Sequence, residues 1–189
     1  MEQTPASVLT PEVAAEIPNM PNPVIERHVA LSVRALCSES PVWQETLPVT
    51  ADGATIDLDT IDTDGEVVRL MPRGLSQGGQ QLPVFVRPTG AKLGYYVMSR
   101  RHLRLTQTPD SDTFLATVQL RPAADGQTVP ADVLDDYRDA IVSGALYRAY
   151  RMVNEPWASP DAAQTHYEMF QAGVRQSLTD VRRTPTEVS

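Results

Sequence analysis

Residues 137–173 read YRDAIVSGALYRAYRMVNEPWASPDAAQTHYEMFQAG, and their spacing governs how the rest of the chain is read. Apolar or small residues at Leu134, Tyr137, Ile141, Gly144, Ala145, Ala149 and Met152 recur every three or four positions, which puts them on one stripe of a helix. Gly144 and Ala145 leave that stripe shallow. Glu155-Pro156-Trp157-Ala158 then breaks the pattern. Ser159 stands where an N-cap belongs, Pro160 at the first helical position, and Asp161 in the first turn, where negative charge suits the helix dipole. A second stripe follows at Ala163, Tyr167, Phe170, Val174, Leu178 and Val181. So short a break predicts an antiparallel helical hairpin.

Working toward the amino terminus, the period changes. Residues 45–122 show alternation of period two, with a hairpin over 46–58 turning at Ala51-Asp52-Gly53 and further strands at 66–70, 82–87, 95–98, 102–106 and 114–121. Turn chemistry at Asp64-Gly65, Gly78-Gly79, Thr89-Gly90 and Pro109-Asp110 separates them. Residues 24–44 return to helical spacing, with a stripe at Ile25, Val29, Ser32 and Leu36, an end at 38–41, and Trp43 just beyond. Residues 1–23 hold Pro5, Pro11, Pro18, Pro21 and Pro23, and predict an extended arm carrying one short helix from Thr10-Pro11. Residues 123–181 comprise a linker and the helical hairpin, and the polar segment 182–189 predicts a flexible tail. The expected class is α+β: an antiparallel helical bundle with an inserted small antiparallel β-sheet or sandwich subdomain.

Composition narrows the function classes. The 189 residues carry a formal net charge of −8, which repels a polyanion and argues against a general nucleic-acid binder or a DNA-binding regulator. Fifteen of the sixteen cationic residues are arginine, with Lys92 the lone lysine, a bias that suits carboxylate pairing at protein interfaces. The single cysteine, Cys37, cannot form an internal disulfide. No run of eighteen apolar residues and no secretory signal pattern occurs, so a membrane span is not expected and synthesis in a cytoplasm is.

No pattern of residues carries chemistry. Asp62-x-Asp64-Gly65 matches the middle of an EF-hand loop, but that register puts Thr60 at the first position and Met71 at the twelfth, where carboxylates are required. The histidines, His28, His102 and His166, fall on three separate elements, with no second ligand at helical or hairpin spacing. There is no Gly-x-Ser-x-Gly elbow, no local reactive pattern around Cys37, and no phosphate-binding spacing in RGLSQGGQQ. Neither catalysis nor a metal or other cofactor is expected. Two groups remain as partner-interface candidates: the basic cluster Arg100, Arg101 and Arg104, also readable as a charged strand edge, and the aromatics Tyr147, Tyr150 and Trp157 crowding the break between helices.

The hairpin also carries a resemblance. Gly144-Ala145-Leu146-x-Arg148, the break Pro156-Trp157-Ala158-x-Pro160, and Ala162, His166 and Phe170 beyond it resemble the adaptor proteins that join head to tail in tailed bacteriophages. VIERHVALSVRALCSESPVWQETL, with Leu36, Cys37 and Trp43, is similar to their first helix, and EVVRLMPRGL to their central strand, so the likeness spans residues 24 to about 183. The resemblance implies a structural virion protein at the head-tail junction, of the short-tailed type given the inserted sheet. It implies a ring of about twelve copies bound to the portal protein and to a nozzle or tail-tube protein, with DNA only as passing cargo. It further implies that a terminus reaches into a neighbouring ring, which makes Arg182, Arg183 and Thr184 interface candidates. The alternatives are a head-completion or tail-terminator protein and, from another class, a small soluble enzyme with a site assembled from residues such as His102, Asp64 and Glu66.

Overall fold

The prolines of the first 23 residues mark the boundaries of folded elements. In the computed structural model, which describes residues 2–86, 92–124, 126 and 128–183 (182 and 183 by backbone alone), β1 (Gln3–Pro5) leads into a 3-10 turn at Ala6–Leu9 and then α1 (Thr10–Glu16) and α2 (Asn22–Glu39). Pro11 lies in the first turn of α1 and Pro23 in that of α2, where a missing N–H costs nothing. Ala6, Leu9, Val13, Ile17 and Met20, spaced by three or four, are all buried. The expected extended arm is therefore a packed segment: its apolar stripe has a core to enter, and its prolines stand only where helices begin or end. Along α2 the stripe Ile25, Val29, Ser32 and Leu36 is buried, as is Trp43.

The chain divides at Trp43 and again at Leu120. Gln44–Leu120 form one unit, and the segments before and after form the other. In the first, β2 (Gln44–Asp52), β3 (Thr55–Asp57), β4 (Gly65–Gln77), β5 (Gln80–Gln81), β6 (Tyr95–Val97), β7 (His102–Leu105) and β8 (Thr113–Pro122) make a curled antiparallel sheet in the order β5-β4-β8-β2-β3-β7-β6. Period two is clearest in β8, where Phe114, Ala116, Val118 and Leu120 all point into the core. The β2–β3 register pairs Ala51 with Ile56 and Asp52 with Thr55, so the tip is Gly53-Ala54, with Gly53 at φ +58°.

Two strands depart from expectation. β4 runs well beyond 66–70, through Met71-Pro72-Arg73-Gly74, because Arg73 adopts φ +58° and lets the strand continue past a local kink. Gly74 is obligatory there: a Cβ would stand 2.6 Å from the Thr117 carbonyl oxygen. The strand expected at 82–87 is reduced to an isolated parallel bridge between Val84 and Tyr95. Pro83 has no N–H to give a ladder. Arg87, like the turn expected at Thr89-Gly90, lies outside the described residues.

In the other unit β9 (Thr128–Pro130) pairs antiparallel with β1, Gln3 opposite Pro130, and turns the expected linker 123–130 partly into strand. α3 (Ala131–Asp136), α4 (Arg138–Tyr150) and α5 (Pro160–Arg183) follow. Leu134 belongs to α3 rather than to the stripe of α4, because Tyr137 leaves helical geometry at φ −119°. Ser159 caps α5, accepting from the Ala162 amide at 3.4 Å. Contacts run in opposite order along α4 and α5: Ala140 with Gly173, Gly144 with Phe170, Tyr147 with Tyr167, Tyr150 with His166. The two helices are therefore antiparallel. α4 also faces α2, with Ser32 against Gly144.

Enclosure on both flanks is what α4 requires of its small residues. A Cβ on Gly144 would lie 2.8 Å from the Phe170 ring and 3.0 Å from Ser32 Cβ; one on Gly173 would lie 2.3 Å from Ala140 Cβ. The buried line of α5 is Ala163, Phe170, Val174 and Ser177, whereas Tyr167, expected on that line, is 40% exposed and packs its ring on Tyr147 instead. Alanine in place of a helical glycine ordinarily gains about 0.5–1 kcal/mol, while overfilling a packed contact costs about 1–3 kcal/mol. Clash wins at this spacing. Gly144→Val is expected to lower stability by about 2–3 kcal/mol in urea denaturation, and Gly144→Ala to cost less in a Phe170→Leu background than alone.

Candidate functional site

The basic cluster splits in two. Arg101 reaches back across its own unit, donating to Asp59 at 2.7 Å and to Glu66 at 2.9 Å, so this arginine clamps the 3-10 turn Leu58–Thr60 to the start of β4. These bonds raise its already high pKa, the Glu66 bond most. Arg100 and Arg104 are exposed, and neither pairs with a carboxylate among the described residues. Arg104 stands on β7 opposite Tyr96 of β6, and Arg100 on the turn between them. That turn is held tightly. Ser99 Oγ accepts from the amides of Arg101 at 3.3 Å and His102 at 3.1 Å, while the Met98 and Ser99 amides donate to the His102 carbonyl at 3.0 and 3.1 Å.

Two apolar side chains of the same hairpin are exposed, Met98 at 58% on the face of Arg104 and Val97 at 56% on the opposite face, across from Leu103. The sequence reading missed them, since they follow the buried Tyr95 and read as ordinary strand. The trio considered for an enzyme does not assemble: His102 faces Asp57 at 3.7 Å and Ser99 at 3.0 Å, and Glu66 is taken up by Arg101. Among the described residues no three His, Cys, Asp or Glu side chains converge as metal ligands would. Nor, among the described residues, is any helix long and apolar enough to cross a membrane.

In the helical unit, the aromatics at the break mostly engage one another. Tyr147 stacks with Tyr167 at 5.1 Å between ring centroids, accepts from Arg151 at 2.6 Å, and has the Arg151 guanidinium 5.3 Å from its ring centre. Tyr150 stacks on His166 at 5.5 Å. The Trp157 indole N–H is shielded from solvent with no hydrogen-bond partner. Arg182 and Arg183 end α5 with side chains outside the described residues, and Thr184 lies outside them altogether.

A groove of about 560 Å³ opens in this unit, lined by Asp135, Asp136, Asp139, Met169, Ala172 and Gln176 among others. Arg138, its one cation among the described residues, donates to Glu12 of α1 through Nε at 2.7 Å and through a second nitrogen. Tyr137 on its wall has a raised pKa, first from burial and then from Asp180, Asp136 and Asp132. The lining is acidic. Its signal in sequence is the charge run Asp135-Asp136-Tyr137-Arg138-Asp139, of which the helical reading used only Tyr137.

Burial shifts two histidines and the lone cysteine. His28 has both ring nitrogens shielded and unpartnered, and its pKa is lowered by burial and then by Arg148 and Arg27. His166 is lowered by burial, against the opposing pull of Glu16. The Cys37 thiol is pushed up to about 12 by burial, which keeps it protonated and unreactive.

Against known proteins, the family model described as SU10 adaptor protein matches residues 4–189, almost the full chain. No curated protein matches it.

A histidine whose pKa is lower folded than unfolded binds fewer protons folded, so its effect on stability is absent above the ordinary value of 6.5 and grows unfavourable as pH falls below it. The thermal midpoint is accordingly expected to drop between pH 7.5 and 5. Combined His28→Leu and His166→Phe substitution is expected to flatten that slope by differential scanning calorimetry, the phenylalanine keeping the stack on Tyr150.

Proposed function

Because this chain belongs to the SU10 adaptor protein family, a family of phage head-to-tail adaptors, we propose that it forms a ring of about twelve copies beneath the portal, following the portal's symmetry, and bridges it to the tail. As a phage structural protein it acts by holding other virion proteins together. The match over residues 4–189 carries this reading, since it takes in both the sheet unit and the helical unit rather than one shared piece. The ring leaves an axial channel for DNA. A net charge of −8 supports that use, because a conduit that attracted the phosphate backbone would slow its cargo.

The portal protein is the partner above and a nozzle or tail-tube protein the partner below. Reach toward the portal is assigned to residues 182–189, with Arg182, Arg183 and Thr184 at its root. The opposite terminus is less suited, because β1 is paired with β9 and Ala6 and Leu9 just after it are buried. No bond is made or broken in this role, so neither catalytic residues nor a cofactor belong to it.

Mixing the purified chain with the portal ring from the same genome, followed by mass photometry, is expected to show discrete addition of a full set of copies. Deletion of residues 182–189 is expected to abolish that addition while leaving the circular dichroism spectrum of the free chain essentially unchanged. Addition undiminished by the deletion would assign portal docking to another surface.

A further inference from the structure

We propose that the turn between β6 and β7 of one copy docks into the acidic groove of a neighbouring copy, and that this contact joins adjacent subunits side by side. The inference rests on the ring reading above and specifies which surfaces close that ring.

Charge is the first argument. Arg100 and Arg104 are exposed with no carboxylate partner among the described residues, while Arg101 between them is already committed to Asp59 and Glu66. Across the proposed contact Asp135, Asp136 and Asp139 line the groove, and Arg138, the only cation lining it among the described residues, is drawn off by Glu12. Each surface thus lacks what the other carries. In a chain of net charge −8 the acidic groove is the complementary surface that the same chain supplies for these two arginines.

Shape and polarity agree with charge. Met98 projects on the same face of the hairpin as Arg104, and the groove offers Met169, 49% exposed, with Ala172 and Gly173 also in its lining. Its volume of about 560 Å³ lies in the range of clefts that hold ligands, so it admits the few side chains at the tip of a hairpin. The Ser99 hydrogen bonds fix the turn before any encounter, so little backbone freedom is lost on docking. A guanidinium facing two or three carboxylates at the mouth, over an apolar floor, is the arrangement that favours arginine at interfaces.

The two surfaces are different, so the contact is heterologous. Each copy offers one turn and one groove, and such a contact propagates from copy to copy until rotation closes it.

Crosslinking tests this directly, since Cys37 is buried and unreactive and leaves introduced thiols as the reactive ones. The full chain carrying both Met98→Cys and Ala172→Cys, each at an exposed site, is treated with a short bis-maleimide, alone and after mixing with the portal ring. A ladder of covalent multimers that needs both cysteines is the expected result. Arg100→Glu with Arg104→Glu is expected to cut the ladder about tenfold or more, and adding Asp136→Arg with Asp139→Arg to the same chain to restore it. Portal addition without a ladder overturns this contact and leaves the adaptor reading standing. A ladder without portal addition upholds the contact and overturns that reading. The absence of both overturns both.

Discussion

The close pass of α4 between α2 and α5 is the constraint on which the helical unit depends. Gly144 meets the Phe170 ring on one flank and Ser32 on the other, and Gly173 lets the Ala140 methyl against the backbone of α5. Residues without bulk at these points set the helix separation. With it go the outward turn of Tyr167 onto Tyr147, the partial burial of His28 and His166, and the groove where α3 meets α4 and α5. Tightness here is costly to alter in either direction, because a core at native density answers both extra and missing atoms with strain or cavity.

Legibility of the fold in the sequence followed the strength of local signals. The helical hairpin, α2 and its stripe, and the strands at β2, β6, β7 and β8 were readable because periodicity and turn residues agree at each of them. The amino-terminal segment was not. Its prolines masked a stripe at Ala6, Leu9, Val13, Ile17 and Met20 whose spacing was present in the sequence all along, and only the partner strand β9, more than a hundred residues away, gives β1 its place. From periodicity β4 was ended at Leu70, whereas the strand continues to Gln77 with Arg73 in a left-handed conformation. Tyr167 was misplaced by a rotation of one helix position, which the glycine contacts decide and periodicity alone does not.

The interaction surfaces were legible only by half. The cluster Arg100, Arg101 and Arg104 stood out by composition, yet three adjacent arginines have two fates, one clamped to Asp59 and Glu66 and two left outward. Nothing in one-dimensional spacing separates them. The groove was invisible for a related reason: Asp135, Asp136 and Asp139 come from one stretch, but Met169 and Ala172 come from the next helix, and their meeting is a property of the antiparallel pair. The family resemblance was legible because the residues that carried it in the sequence, Pro156-Trp157 at the break between helices among them, are local, and the family match covers residues 4–189.

Cryo-electron microscopy of the head-tail junction in virions from the same genome tests the central claim most directly. The account predicts a symmetric layer between portal and tail into which the unit Gln44–Leu120 and the helical unit each fit as separate bodies, repeated around an open axial channel. A layer in that position built from a different chain, with this one elsewhere or absent from the particle, would contradict it.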